Sequence, residues 1–187
     1  MQTDYAGHTI PIIDPATGQE HRAQIFVAVL GASNYTFAWA SLSQKLPDWI
    51  DAQVRALQFF GGVPKAIVCD NLKAAVAKPL WFEPSVTKTF SDMARHYDTT
   101  VLPTRPRKPR DKGKVEGAVL IVERWILARL RNRQFFSIEA LNVAIAELLA
   151  DLNARTMRRV GRSRQDLFAE IEHPALRPLP DTPFEYA

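Results

Sequence analysis

Cysteine is almost absent from this chain, because Cys69 is its only one among 187 residues. A single cysteine excludes an internal disulfide and a zinc site built from cysteines, and it is typical of a reducing, cytoplasmic setting. Long hydrophobic runs are absent as well. The longest, IFVAVLGA at residues 25–32, is too short to cross a bilayer, and the first residues lack the pattern of a secretion signal. The sequence therefore predicts no membrane partner.

The net charge of +4 is unevenly distributed. Residues 1–100 carry 8 basic and 9 acidic side chains, residues 101–164 carry 15 and 6, and residues 165–187 carry 1 and 5. The middle segment alone therefore has a net charge of +9. A concentration of positive charge favours a polyanion such as nucleic acid as partner. A set of solvated helix faces is the alternative.

The pattern of apolar residues changes along the chain. Residues 1–43 predict four strands joined by tight turns, and the third, AQIFVAVLGA, is apolar enough to be buried on both faces. A helix is predicted from Pro47 to the glycine pair at 61–62. A short strand, KAIVCD, a helical stretch and another strand then follow, at residues 65–70, 86–97 and 99–103.

Helices alone are predicted in the last third of the chain. A basic loop with prolines at every third position leads into a long helix over residues 112–132. Ser137 and Ser163 are placed to cap two further helices. The pattern indicates an α/β domain with a helical extension. We divide the chain into a catalytic core (1–133), a helical extension (134–172) and a proline-rich tail (173–187), which we expect on the surface or partly disordered.

Three carboxylates stand where α/β folds place ligand sites: Asp4 in the first strand, Asp70 at the end of KAIVCD, and Glu116 at the start of the long helix. If the two strands are neighbours and the helix lies beside them, the three groups converge. Such a cluster needs cations to stay ionised, and Mg²⁺ suits carboxylates. Taken singly, each acid has another reading, as a strand-edge acid, a helix cap or a helix-dipole partner respectively.

Two other acids compete with Glu116. Glu123 lies two helical turns further on, on almost the same face. Asp111 is a weaker rival and is better placed as the cap of the long helix. Glu116 is preferred because it lies nearer the helix start, within KGKVE.

The segments QTDYAG, GGVPKAIVCDNLKAAV and KGKVEGAVLIVERWI resemble the three catalytic blocks of IstA-type insertion-sequence transposases, members of the DDE transposase and retroviral integrase superfamily. The resemblance covers roughly residues 1–133, and the middle block is its most specific part. Leu72 stands where retroviral integrases have a glycine, and the interval from Asp70 to Glu116 is longer. The resemblance implies an RNase H-like fold: a mixed five-stranded sheet flanked by helices, with a C-terminal helical extension.

The resemblance also implies chemistry. Asp4 and Asp70 would be metal ligands and Glu116 would complete the triad, with two Mg²⁺ or Mn²⁺ ions expected when DNA is bound. The reaction would be cleavage at the ends of a mobile element and attack of the freed 3′-hydroxyl on target DNA. Because the chain begins three residues before Asp4, we expect an excised core. The resemblance implies helix-turn-helix DNA-binding regions before it and further sequence after it.

The implied partners are transposon-end and target DNA, a homodimer or larger synaptic assembly, and an ATP-dependent helper of the IstB type, in a bacterial cytoplasm at the nucleoid. The basic residues near the acids are the candidate DNA contacts: Lys73, Arg105, Arg107, Lys108, Arg110, Lys112, Lys114, Arg158 and Arg159. The wider arginine cluster at residues 155–164 is either a second DNA surface or a solvated helix end. A non-catalytic nucleic-acid-binding module and a nuclease without strand transfer remain the alternatives.

Overall fold

The structure is a computed structural model that describes residues 1–69, 76–78, 85–103 and 113–186. Six strands form its main sheet: β1 (Gln2–Tyr5), β2 (Ile10–Ile13), β3 (Glu20–Val29), β4 (Thr36–Ser41), β5 (Ala66–Cys69) and β8 (Thr100–Pro103). Two small antiparallel pairs lie apart from it, β6 (Val76–Lys78) with β7 (Ser85–Val86), and β9 (Thr156–Met157) with β10 (Arg162–Ser163). The second pair shows that the prediction of helices alone in the last third of the chain was wrong, because a short hairpin interrupts the helices there.

The helices follow the predicted order. They are α1 (Leu46–Phe60), α2 (Lys88–His96), α3 (Gly113–Val122), α4 (Ala128–Leu130), α5 (Ile138–Ala154) and α6 (Arg164–Leu167). A π-helical segment, Glu123–Leu127, joins α3 to α4, so the long helix predicted from the sequence is continuous over the described residues 113–130. A second π-helical segment, Phe168–Glu172, and a 3₁₀ turn, His173–Ala175, follow α6.

The main sheet is mixed, as predicted, but has one strand more than the five expected. β1 lies inside it, antiparallel to β3 and parallel to β5, and β8 continues the parallel part beyond β5. The sheet holds six strands because β3, at ten residues, is long enough to pair with β2 along residues 20–23, with β4 along residues 24–29 and with β1 along residues 26–29.

The core lies on both faces of β3. Residues 25–29 of this strand are completely buried, which confirms the interpretation of its apolar run. On one face, Trp49 of α1 contacts the rings of Tyr5 and Phe26 at centroid distances of 5.7 and 5.3 Å. On the other face, α3 and the π-helical segment contribute the buried Val115, Val122 and Ile126 at helical spacing.

Helix α5 covers the outer edge of β4 through two asparagines. The side chain of Asn142 accepts from Ala40 N–H (2.7 Å) and donates to Ala40 C=O (3.0 Å). Asn153 does the same with Thr36, at 3.1 and 2.8 Å. The two asparagines are eleven positions apart, about three helical turns, and so lie on one face of α5. They satisfy backbone groups that an edge strand otherwise leaves unpaired.

The proline-rich tail contacts the loop between α1 and β5. Val63 and Arg177 exchange two backbone hydrogen bonds of 2.8 and 3.0 Å. This approach requires Gly62, because a Cβ there would lie 2.7 Å from the Cβ of Leu176. Further along, the Phe184 N–H donates to the hydroxyl of Tyr97 (3.1 Å). We expected the tail either on the surface or partly disordered. Its described part, residues 173–186, packs on the surface of the domain. The proposed domain boundaries remain a prediction.

The hydrogen bonds of Asn142 and Asn153 to the backbone of β4, which we call the asparagine clamp, predict a specific loss of stability. In Asn153→Ala the buried N–H and C=O of Thr36 lose their partners, so we expect the free energy of unfolding to fall by about 1–3 kcal/mol. Urea denaturation measures it. Asn132→Ala is the matched control, because Asn132 is exposed and its replacement should change stability by no more than about 0.5 kcal/mol. Equal effects of both changes would contradict the clamp.

Candidate active site

The two faces of β1 have different neighbours. Thr3 is buried, and its hydroxyl accepts a hydrogen bond from the side-chain amide of Gln53 on α1 (3.0 Å). Tyr5 points the same way, against Trp49, and burial raises its pKa to about 12. Gln2 points the other way, and its side-chain oxygen accepts from the N–H of Val115 on α3 (2.9 Å). Because side chains alternate along a strand, Asp4 shares the α3 face with Gln2.

Asp4 is half-buried in the middle of the sheet. One of its carboxylate oxygens accepts from the N–H of the next residue, Tyr5, at 2.8 Å. It pairs across the ladder with Val27 on β3. On its other side β1 runs parallel to β5, with Thr3 opposite Cys69. Asp70 follows Cys69 in the chain and lies outside the described residues.

Glu116 occupies the first turn of α3 and is exposed. The preceding residue, Val115, is 2% exposed, and its N–H donates the hydrogen bond that the side chain of Gln2 accepts. This hydrogen bond matters because the first N–H groups of a helix have no partner within the helix. The start of α3, and with it Glu116, is thereby tied to the strand that carries Asp4.

The rival acid, Glu123, has a different environment. Its carboxylate lies 2.8 Å from Nδ1 of His8, and its side chain is only 16% exposed. The same oxygen lies 3.9 Å from the position that a Cβ on Gly7 would take. Glu123 therefore packs beyond the end of β1, whereas Glu116 lies beside its beginning. The third candidate, Asp111, is outside the described residues.

The donor set on the α3 face suits a hard divalent cation. Asp4 and Glu116 offer carboxylate oxygens, which Mg²⁺ and Mn²⁺ prefer. Over residues 1–69, 76–78, 85–103 and 113–186, no three His, Cys, Asp or Glu side chains form a group that could hold a metal. The predicted triad also needs Asp70, which that search does not include.

Three of the predicted DNA contacts lie along one groove. Lys114, Arg158 and Arg159 are exposed and line a cavity of about 640 Å³ between α3 and the β9–β10 hairpin. The ammonium group of Lys114 donates to the side chain of Asn34 (3.3 Å). The other six lie outside the described residues: Lys73, Arg105, Arg107, Lys108, Arg110 and Lys112.

The structure divides the arginine cluster at residues 155–164. Arg155 is exposed and lies over the ring of Trp125 at 3.9 Å. Arg162 forms an ion pair of 2.5 Å with Glu170. Arg164 is 8% exposed, and burial lowers its pKa. The sequence shows five similar arginines, and only their packing separates the exposed, paired and buried ones.

Gln2 is the residue of this region that the sequence did not single out. A glutamine near the start of a strand has no local signature, because its partner, Val115, is 113 positions away. Its position two residues before Asp4, hence on the same face, is the only signal that the sequence offers.

Among the helices that the structure describes, none combines the length and apolar character needed to cross a bilayer.

Comparison with protein families gives a match over residues 1–109 to the family model described as "Integrase core domain". That range includes Asp4 and Asp70 and ends before Glu116.

Two relatives extend the match over most of the chain. A protein of Sinorhizobium fredii described as "Putative transposase y4bL/y4kJ/y4tB" is 78% identical over all 187 residues, which are 36% of its own length. The "Transposase for insertion sequence element IS21" of Pseudomonas aeruginosa is 32% identical over 169 residues, which are 90% of this chain and 43% of that protein. The chain thus spans 36% and 43% of the length of these two relatives.

Two solved structures with a similar fold come from retroviruses. A chain of the simian T-cell lymphotropic virus intasome aligns with a TM-score of 0.66 at 16% identity, over 95% of this chain and 57% of that one. The HTLV-2 integrase catalytic core domain in complex with magnesium aligns with a TM-score of 0.57 at 16% identity, over 88% of this chain and 94% of that one. These likenesses confirm the RNase H-like fold class.

The hydrogen bond between Gln2 and α3 can be tested directly. Gln2→Met keeps the length of the side chain but removes the acceptor, so the buried N–H of Val115 loses this partner. We expect faster amide hydrogen exchange at Val115 and in the first turn of α3, corresponding to a local loss of about 1–3 kcal/mol. Gln24→Met is the control, because Gln24 bonds to Arg22 and Gln44, away from α3. Unchanged exchange at Val115 would contradict the assignment.

Proposed function

This chain belongs to the integrase core domain family, and we propose that it is the catalytic core of a DDE transposase that cleaves the DNA ends of a mobile element and transfers the freed 3′-hydroxyl to target DNA. The observation that carries the proposal is the register of β1 and β5. Thr3 pairs with Cys69, and these residues directly precede Asp4 and Asp70. Neighbouring parallel strands are where α/β folds gather ligand groups.

In this proposal Asp4, Asp70 and Glu116 are the metal ligands. Asp4 is held in the sheet, which limits its movement, and it faces the helix that carries Glu116. Glu116 is exposed on the first turn of α3, where a substrate can reach it. Glu123 is not a ligand, because its carboxylate already contacts His8.

The proposed cofactor is a pair of Mg²⁺ or Mn²⁺ ions, present when DNA is bound. One solved neighbour is an integrase core in complex with magnesium, which supports this choice. Bound between carboxylates, such ions neutralise them and stabilise negative charge on the attacking and leaving oxygens of a phosphoryl transfer. The chain's own contribution is to hold the carboxylates in place, through the β1 ladder for Asp4 and through the Gln2 hydrogen bond for the start of α3.

Positive charge on the chain would offset the repulsion between these acids and DNA. We assign the backbone contacts to the basic residues predicted from the sequence, of which Lys114, Arg158 and Arg159 are described and exposed. Lys114 precedes Glu116 by two residues on α3, which is about 200° around the helix, so it would hold a phosphate on the flank opposite to Glu116. Such contacts orient a DNA strand without reading its sequence.

The proposed partners are transposon-end and target DNA, a second copy of the chain or a larger assembly on paired ends, and an ATP-dependent helper protein of the IstB type. The proposed setting is the bacterial cytoplasm, at the nucleoid.

The central test uses a branched DNA in which a 3′ end is already joined to a nicked duplex. By microscopic reversibility, an enzyme that catalyses strand transfer also releases this end, and such a substrate needs no recognition of a particular end sequence. We expect Mn²⁺-dependent release by the parent chain. Glu116→Gln should lower it at least about a hundredfold, since even indirect partners of a metal contribute about 10- to 100-fold. DNA affinity should stay the same or increase, because a negative charge is removed.

Glu123→Gln is the matched control, because it removes the same charge from the same helix at the His8 contact. We expect its release rate to stay within a few-fold of the parent. If Glu123→Gln were inactive and Glu116→Gln active, the assignment of the third acid would be wrong. Cleavage of plain duplex without release from the branched DNA would indicate a nuclease instead.

Metal binding gives a separate prediction. Calorimetric titration with Mn²⁺ should detect binding to the parent chain that Asp4→Asn and Asp70→Asn each weaken at least about tenfold, because each loses a charged oxygen ligand. Asp51→Asn is the control, since Asp51 pairs with Arg55 on the exposed face of α1. Equal Mn²⁺ affinity in all four proteins would contradict the proposed site.

A further inference from the structure

The charged side chains that line the groove between α3 and the β9–β10 hairpin are all positive among the described residues. We call this groove the helix–hairpin groove and define it by its cationic lining residues: Lys114, Arg155, Arg158, Arg159 and Arg164. None of the described residues that line it is Asp or Glu. Its volume of about 640 Å³ falls within the range of roughly 300–1,000 Å³ that is typical of ligand sites.

Arg164 is the most informative of these cations. It is 8% exposed, and its Nη1 donates to the carbonyl of Leu152 in the last turn of α5 (3.1 Å). Its Nε is buried and has no hydrogen-bond partner among the described residues. No carboxylate of the described part lies within ion-pair distance of Arg164. Burial of a charge without a counter-charge is costly unless a partner is bound.

Two carboxylates near the groove in sequence, Glu170 and Asp151, are already engaged, and two others, the exposed Glu116 and Asp166, form no ion pair with Arg164. Glu170 pairs with Arg162 at 2.5 Å. Asp151 accepts from Arg129 and from the indole N–H of Trp125, both at 3.4 Å. Each therefore has another cation or donor as its partner, which leaves the place of an anion beside Arg164 for a ligand.

The α3 wall of the groove leaves room for close approach. Gly113 and Gly117 line it, and a Cβ added to either would meet nothing within 4 Å. Glycine inside a helix costs about 0.5–1 kcal/mol relative to alanine, so Gly117 is not there for helix stability. Its lack of a side chain exposes the helix backbone next to Glu116.

We propose that the helix–hairpin groove binds a phosphodiester group of a DNA strand, with Arg164 as its buried anchor. The planar guanidinium suits two oxygens of one phosphate. Arg158, Arg159 and Lys114 contact the neighbouring phosphates, and Met157 and Val160 provide apolar surface for the sugars. The strand then runs along the flank of α3 that carries Lys114 and Gly117. The identity of the ligand as DNA rests on the proposed function.

The first test removes the exposed cations of the groove. The double variant Arg158→Gln/Arg159→Gln is compared with Arg22→Gln/Arg95→Gln, which removes two exposed arginines outside the groove. Affinity for a fluorescein-labelled single-stranded 20-mer is measured by anisotropy over a range of salt concentrations. The logarithm of the association constant falls with the logarithm of the salt concentration. The groove variant should make this slope shallower by about 1.4, that is, about 0.7 per lost phosphate contact, whereas the control keeps the parent's slope. Equal slopes for all three proteins would overturn the proposal.

The second test separates anchoring from a structural role of Arg164. Arg164→Met keeps the apolar stem and removes the charge, and thermal unfolding reports whether it still folds. If Arg164 only supports the end of α5, the folded variant will bind the 20-mer with the parent's affinity and slope. The proposal instead expects binding at least about fivefold weaker and a slope lower by about 0.7. Arg164→Lys, which keeps the charge, should recover most of the slope.

The remaining outcomes separate this inference from the proposed function. Adenosine monophosphate is used as a competitor. If it displaces the 20-mer when both supply the same concentration of phosphate groups, the groove binds a free nucleotide and the assignment to a DNA strand is overturned. If groove variants bind normally while Glu116→Gln lacks activity, the inference fails and the proposed function stands. If groove variants lose DNA while Asp4→Asn and Glu116→Gln both remain active, the proposed function fails and the groove stands.

Discussion

The position of β1 inside the sheet is the constraint on which the rest of the molecule depends. Its backbone pairs with β3 on one side and β5 on the other, so its side chains can only project to the two faces. One face is occupied by the aromatic core around Trp49. The other holds Asp4 beside α3. An aspartate within a sheet is disfavoured, and the cation site that we propose on that face would account for its presence.

Charge is arranged around this constraint in two zones. The acids proposed for the metal site are on β1, on the first turn of α3 and at the end of KAIVCD. The cations of the helix–hairpin groove lie along the other flank of α3 and on the hairpin that faces it. Glu116 stands between Lys114 and Gly117 in the sequence but projects from the other flank of the helix, because residues one or two positions apart do not share a helix face.

Much of the architecture could be predicted because it depends on local chemistry. The apolar run of β3, the serine caps at Ser137 and Ser163, and the apolar stripe of the long helix are all found where expected. The candidate acids followed from their places at strand and helix ends together with the family resemblance. The asparagine clamp did not follow, since Asn142 and Asn153 interrupt an apolar helix face and their partners are more than a hundred positions away. The six strands of the main sheet did follow from the local pattern, whereas the family resemblance implied one strand fewer.

The sequence by itself determined the order and type of most elements, the family, and the residues that we propose as metal ligands, because these depend on neighbours a few positions apart and on short motifs. The tertiary structure decided which similar residues have different environments. Glu123 contacts His8 while Glu116 is exposed, and Arg164 is buried while Arg158 and Arg159 are not. The physical reason is that burial and pairing depend on segments distant in the chain, which only the packing of α3, α5 and the hairpin brings together.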